Sequence, residues 1–508
     1  MRASSNAISD LTSLSNLIHL ERLSLTANEI GNLTGMEYLT NLTELYAGSN
    51  EITDLTPLSN LTDLEMLDLF SNAITDLTPL SNHINLERLS LTENEITDLI
   101  SLSNLANLES LTLERNAITD LDPLSDLINL KSLNLERNAI TDLTPLSSLI
   151  HLEQLNLTAN EIADLSPLSN LVSLESLRLE SNEISILSPL SNLSYLRSLH
   201  LRDNNIHDVA PLAYLDLTAL NLDDNHIGDL TPLSNLEELS TLSIDNNGIR
   251  DVSFLSHLSS LRVLSLNYNE ISDLIPLSGL DLGVLQLNGN AVEDISPLSY
   301  LAETLDSLGL GDNNINDITP LVDLRYLTRL NLEGNSISDL TFLPPHIQEL
   351  ILRRNEITDL SPLSQKWGLM WLDLGYNQIS DLSPLSDRTW LIRLDLNDNN
   401  ISDLTPLTPF STVGAFNYLD LRNNQITSVE PISDLSLRWL NLDGNQITDI
   451  ESVCGIVENI DIEFWNDLSN SDFSYPQAPL HYVSSHGSLR IPIPFHGVGE
   501  VVENLNCP

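Results

Sequence analysis

Trp371, Arg393, Tyr418 and Trp439 recur at intervals of 21 to 25 residues near the carboxyl end, and they are the residue types that dominate interface energetics. Two positions after each come Asp373, Asp395, Asp420 and Asn441; two further on lie Arg422 and Asp443. On one surface, aromatic faces beside carboxylates suit lysine or arginine side chains. Three neighbouring carboxylates repel one another and call for adjacent arginines or a bound cation. The competing reading is that the aromatics stack on each other and only stiffen this end of the molecule. All five tryptophans, at 367, 371, 390, 439 and 465, fall in the last quarter. A smaller apolar group, Tyr46, Met66 and Phe70, forms a secondary candidate patch.

Reactive chemistry is absent from the pattern. No nucleophile elbow, zinc-protease helix, phosphate loop or pair of C-x-x-C motifs occurs, so no catalytic residue is assigned and the chain reads as a non-enzyme without cofactor. His481, His486 and His496 stand near Cys507 at spacings that match no zinc site, so no metal ligand is assigned either. Asp54, Asp76, Asp98, Asp120, Asp142 and Asp164 form a column that continues with gaps to Asp449. Stacked carboxylates raise the idea of a calcium ladder. A calcium loop gathers several oxygen ligands around a glycine turn, however, and here leucine follows each lone aspartate. Capping of turns is the better reading, and divalent cations are only weakly supported as partners.

The charge limits what can bind. With 72 acidic against 21 basic residues the formal charge is −51, and Lys131 and Lys366 are the only lysines. Such a field repels phosphate backbones and anionic membranes, excluding nucleic acid and favouring a basic protein or peptide. The bias resembles that of salt-adapted proteins. Two cysteines, Cys454 and Cys507, are too few for a disulfide scaffold, and whether they pair stays open. No apolar signal segment and no run of eighteen apolar residues is present, so the chain reads as soluble, without membrane insertion.

What positions these residues is a repeat. Reading L-x-L-x-x-N-x-I, an asparagine returns about every twenty-two residues from Asn28 to Asn445, giving twenty units, with Asn6 in phase inside a truncated first one. Alternation in L-x-L, such as Leu67 and Leu69, dictates a strand with its leucines buried. Positions six, four and two before each asparagine then face solvent, and equivalent positions stack at about 4.8 Å in neighbouring coils. Fifteen of the 23 prolines occupy one phase, where Thr56 or Thr78 caps a short helix and Pro57 or Pro79 starts it. The thirteen or so residues left per coil leave no room for a long α-helix, so 3₁₀ or single-turn segments line the back.

The N-x-I-x-D-L-x-P-L phase resembles the internalin-type leucine-rich repeat, itself similar to that of phosphatase regulatory subunits, across residues 6–466. The resemblance implies an α/β solenoid, a right-handed horseshoe whose concave parallel β-sheet binds partners, and a bacterial origin. The expected organisation is a solenoid over 1–466 and a cap or β-rich appendage over 467–508, where Trp465 has replaced the asparagine and Pro492 and Pro494 suit only an edge strand. The expected function is a recognition scaffold holding a basic partner on the concave face. The alternatives are a targeting module of a phosphatase or ligase assembly, or a cation-linked surface protein. Surface display or secretion requires a signal peptide upstream of Met1.

Overall fold

The computed structural model describes residues 1–412 and 416–448. Asp449, Cys454, Trp465, His481, His486, His496, Cys507 and the expected 467–508 appendage lie outside the described residues. Two compact units divide the chain, Met1–Val263 and Leu264–Pro508. Strands β1 (Arg22–Ser24) to β11 (Thr241–Ser243) belong to the first, β12 (Val263–Ser265) falls at the division in the sequence, and β13 (Val284–Gln286) to β20 (Trp439–Asn441) belong to the second. Each unit is a solenoid of the leucine-rich-repeat kind. Its strands are parallel and in register, with leucine beside leucine: Leu133 pairs Leu155 in the first unit and Leu372 pairs Leu394 in the second. Among the described residues every helical segment is 3₁₀, usually three to five residues long, as the residue count per coil requires.

The core is a stack of leucine columns. In one coil Leu143, Leu146, Leu149, Leu152, Leu155, Leu157 and Ile162 are all buried. In three of the twenty-two-residue coils the leucine that stands eleven residues before the ladder asparagine is replaced by a polar side chain: His83, Lys366 and Arg388. His83 places Nε2 3.1 Å from the carbonyl of Leu58, and Lys366 donates its Nζ to the carbonyls of Leu343 and Pro344 at 2.7 and 3.0 Å.

Each asparagine ties its coil to the one before. Asn160 donates Nδ2 to the carbonyls of Leu135 and Leu157, both at 3.0 Å, and accepts the Ile140 amide on Oδ1 at 3.1 Å. Asn94, Asn204, Asn335 and Asn399 repeat the pattern. The residue before the asparagine takes a left-handed turn, at φ 56° for Ala159, and glycine occupies that phase at 289, 334 and 444.

Of the two expected turn caps, the aspartate column is present and the threonine is not. Thr56 is the first residue of its 3₁₀ segment and does not cap it. Asp54 does, accepting the Thr56 amide on Oδ1 at 2.8 Å, and Asp76, Asp98, Asp142 and Asp164 do the same two residues ahead of their own segments. The aspartate column therefore serves the turns. The short Asp side chain reaches an amide two residues on, whereas the threonine already lies inside the turn.

Replacing Asn160 with leucine removes bonds to both coils and leaves buried backbone groups unpaired, so Asn160→Leu should cost about 1–3 kcal/mol. Thermal or denaturant unfolding measures it; an unchanged midpoint would refute the role.

Candidate functional site

In the second unit, strands β16 (Glu349–Ile351), β17 (Trp371–Asp373), β18 (Arg393–Asp395), β19 (Tyr418–Asp420) and β20 align the expected columns side by side. Trp371, Arg393, Tyr418 and Trp439 occupy successive rungs and build a single stack. The Arg393 guanidinium lies 4.7 Å from the Trp371 ring centroid and 4.1 Å from that of Tyr418. Tyr418 in turn stacks on Trp439 at 4.0 Å with the planes 3° apart. All four side chains stand on the sheet face, half-buried.

The second column departs from expectation. Asp373, Asp395 and Asp420 point to the sheet face yet are only 4, 4 and 1 % exposed, so the expectation of solvent-facing carboxylates is corrected. Large side chains at neighbouring positions fold across them. Arg393 donates Nε to Asp395 Oδ2 at 2.8 Å, and Arg422 grips Asp420 with Nε and Nη2, the latter at 2.7 Å. The required arginines are thus supplied from within the chain. Asp373 instead accepts the Gly375 amide at 2.9 Å. Burial first, then the Asp395 charge, pushes Asp373 up to about 7. Asp395 is also raised, mainly by burial, against the pull of Arg393. Burial likewise raises Asp443, whose Oδ1 meets no hydrogen-bond donor.

Arg353 belongs to this surface although it was not among the expected residues. Its Nη1 reaches across β17 to Asn397 Oδ1 at 2.9 Å, and its guanidinium lies 4.4 Å from the Tyr376 ring centroid. Gly375 opens that corridor, because a Cβ there would sit 2.7 Å from Arg353 Nη1 and 2.5 Å from Asn397 Oδ1. The signal was present in the sequence: Arg353 stands two residues before Asn355, the phase that also holds Arg422.

In the first unit, Tyr46 of β2 (Glu44–Tyr46) directs its hydroxyl to Met66 Sδ of β3 (Met66–Asp68) at 2.7 Å. Phe70 covers Gly48, where a Cβ would meet the ring at 2.1 Å. Tyr46 and Met66 therefore touch, and all three residues of the secondary patch are half-buried.

A family model described as leucine-rich repeats in two copies matches 40–82, 84–126 and 128–170; further leucine-rich-repeat models match 390–447, 192–210 and 257–274. Internalin InlF of Listeria monocytogenes is 37 % identical, covering 58 % of this chain and 88 % of its own, with a TM-score of 0.57. The chain belongs to the internalin-type leucine-rich-repeat family. Two structures resemble this internalin-type chain in fold alone. A leucine-rich-repeat protein of Leptospira interrogans is 24 % identical over 81 % of this chain and 99 % of its own, with a TM-score of 0.56. The plant peptide hormone receptor RGFR1, in complex with RGF2, is 19 % identical over 90 % and 88 %, with a TM-score of 0.62. No curated protein matches. Among the described residues no helix is long and apolar enough to cross a membrane.

Two groups of carboxylates set opposite pH responses. The turn aspartates, such as Asp54 and Asp142, are held below 3.8 by hydroxyl and amide donors of the following threonine, so their contribution is lost as pH falls below that value. Asp373 is raised, so its contribution is full below 3.8 and is lost as pH climbs through about 7. Asp373→Asn should flatten the decline in stability between those limits and add up to about 4 kcal/mol at pH 8. Urea titrations at pH 4, 6 and 8 read the slope; a variant with the wild-type slope would exclude Asp373 as its source.

Proposed function

We propose that this internalin-type chain is a non-catalytic recognition scaffold that holds a basic protein or peptide on the sheet face of its second unit. The Trp371–Arg393–Tyr418–Trp439 stack carries the reading. Each ring or guanidinium is immobilised by its neighbours before any ligand arrives, so little side-chain entropy remains to be lost on binding. Solenoids of this kind use such extended surfaces for binding. Trp371, Arg393, Tyr418, Arg422, Trp439 and Asp443 are the contact residues; Asp373, Asp395 and Asp420 support them from beneath.

The sign of the partner rests on local charge. Around the stack lie Glu349, Asp373, Asp395, Asp398, Asp420 and Asp443 against Arg353, Arg393 and Arg422, in a chain of net −51. Long-range attraction then raises the association rate, and aromatic burial holds the complex.

A lysine- and arginine-rich peptide library screened by calorimetry, beside an acidic library of equal length, tests the proposal. The basic peptides should bind, weaken with added salt, and lose at least about tenfold in affinity to the Trp371→Ala/Trp439→Ala variant. Equal capture of acidic peptides, or undiminished binding by a folded double variant, would overturn it.

A further inference from the structure

Arg388 stands apart from every other arginine described. It fills a leucine position of the core column, and it is 4 % exposed. Its Nε and Nη1 meet no hydrogen-bond acceptor, and among the described residues no carboxylate lies within ion-pair distance of it. Lys366, at the same phase one coil earlier, resolves its own burial by donating to two carbonyls. Among the described residues Arg388 has the face of Trp367, whose ring centroid lies 4.0 Å from the guanidinium carbon, and the charge of the adjacent Asp387, which makes no ion pair with it. A guanidinium keeps its proton even when burial lowers its affinity for it, so the charge persists and is only partly offset by the ring. A buried cation without an acceptor is a costly arrangement that a ligand anion would relieve.

The surroundings define the ligand. Trp367 and Trp390 are 61 and 67 % exposed, and Met370 and Ile392, joined by the bond from the Ile392 amide to the Met370 carbonyl at 2.8 Å, are also exposed large apolar residues. These four side chains lie just ahead of β17 and β18 in the chain, at the edge where it enters the strands. One cation within an apolar frame fits a single carboxylate flanked by apolar side chains. It does not fit a polyanion, which the net charge of −51 repels.

We propose that Arg388, Trp367, Trp390, Met370 and Ile392 form a second recognition site, for an apolar peptide segment carrying one carboxylate. Trp367 is its movable cover: the ring turns aside, the carboxylate pairs with the guanidinium, and apolar side chains of the peptide pack on Trp390, Met370 and Ile392. The carboxylate comes from a glutamate or aspartate side chain or from a chain end.

The test uses the full chain and a capped apolar peptide containing one glutamate, its glutamine counterpart, and a glutamate-free version with a free carboxyl end, titrated by calorimetry. The glutamate peptide should bind at least about tenfold tighter than the glutamine peptide. That preference should vanish in Arg388→Leu, which restores the leucine of the column and should unfold no earlier than wild type. Binding of only the free-end peptide would assign the carboxylate to a chain terminus; binding of either carboxylate form with loss in Arg388→Leu supports the site. Equal affinity for glutamate and free-end peptides as for glutamine, or a preference retained by Arg388→Leu, overturns it. Trp371→Ala/Trp439→Ala should leave this preference intact, so failure here and failure of the sheet-face reading are separately visible.

Discussion

A coil of about twenty-two residues closes around a column of leucines only if the backbone groups that this closure buries find partners. The ladder asparagines supply them. One side chain accepts an amide of the preceding coil and donates to carbonyls of both coils, as Asn160 does with Ile140, Leu135 and Leu157. Everything on the sheet face inherits its spacing from that bond set, because it holds successive coils in one register.

Register is what turns a sequence interval into a surface. Trp371, Arg393, Tyr418 and Trp439 are separated along the chain by 22, 25 and 21 residues, yet each pairs its neighbour directly across β17 to β20. Coil lengths that differ by a few residues are absorbed in the back segment, such as the longer 3₁₀ stretch Thr405–Thr412, and leave the strands aligned. The same property allows substitutions on the leucine column. His83 and Lys366 place polar atoms where a carbonyl of the adjacent coil is within reach, whereas Arg388 extends its guanidinium beneath Trp367.

The two readings of the carboxyl-terminal aromatics, ligand platform and internal stack, prove compatible in physical terms. The rings do stack on each other and on Arg393, which stiffens them. A stiff, half-buried array is also better prepared for binding than free side chains. The carboxylates beneath it keep Arg393 and Arg422 in place, and Asp373, with no arginine bonded to it, titrates near neutrality.

Much of this was legible from periodicity. The repeat length, the alternating leucines and the proline phase determined a solenoid of parallel strands with short back segments, because each follows from local geometry repeated twenty times. The same phase located the columns, and so named Trp371, Arg393, Tyr418 and Trp439 as neighbours. Tertiary structure alone decided how deep each side chain lies. Asp373, Asp395 and Asp420 hold solvent-facing positions by alternation and are nevertheless covered, since burial depends on which long side chains at neighbouring positions fold over them. Arg353 reaching Asn397 past Gly375 is of the same kind: a contact spanning 44 residues exists because one intervening position lacks a side chain. Phase names the neighbours of a residue, but the volume and reach of those neighbours determine its solvent and its charge.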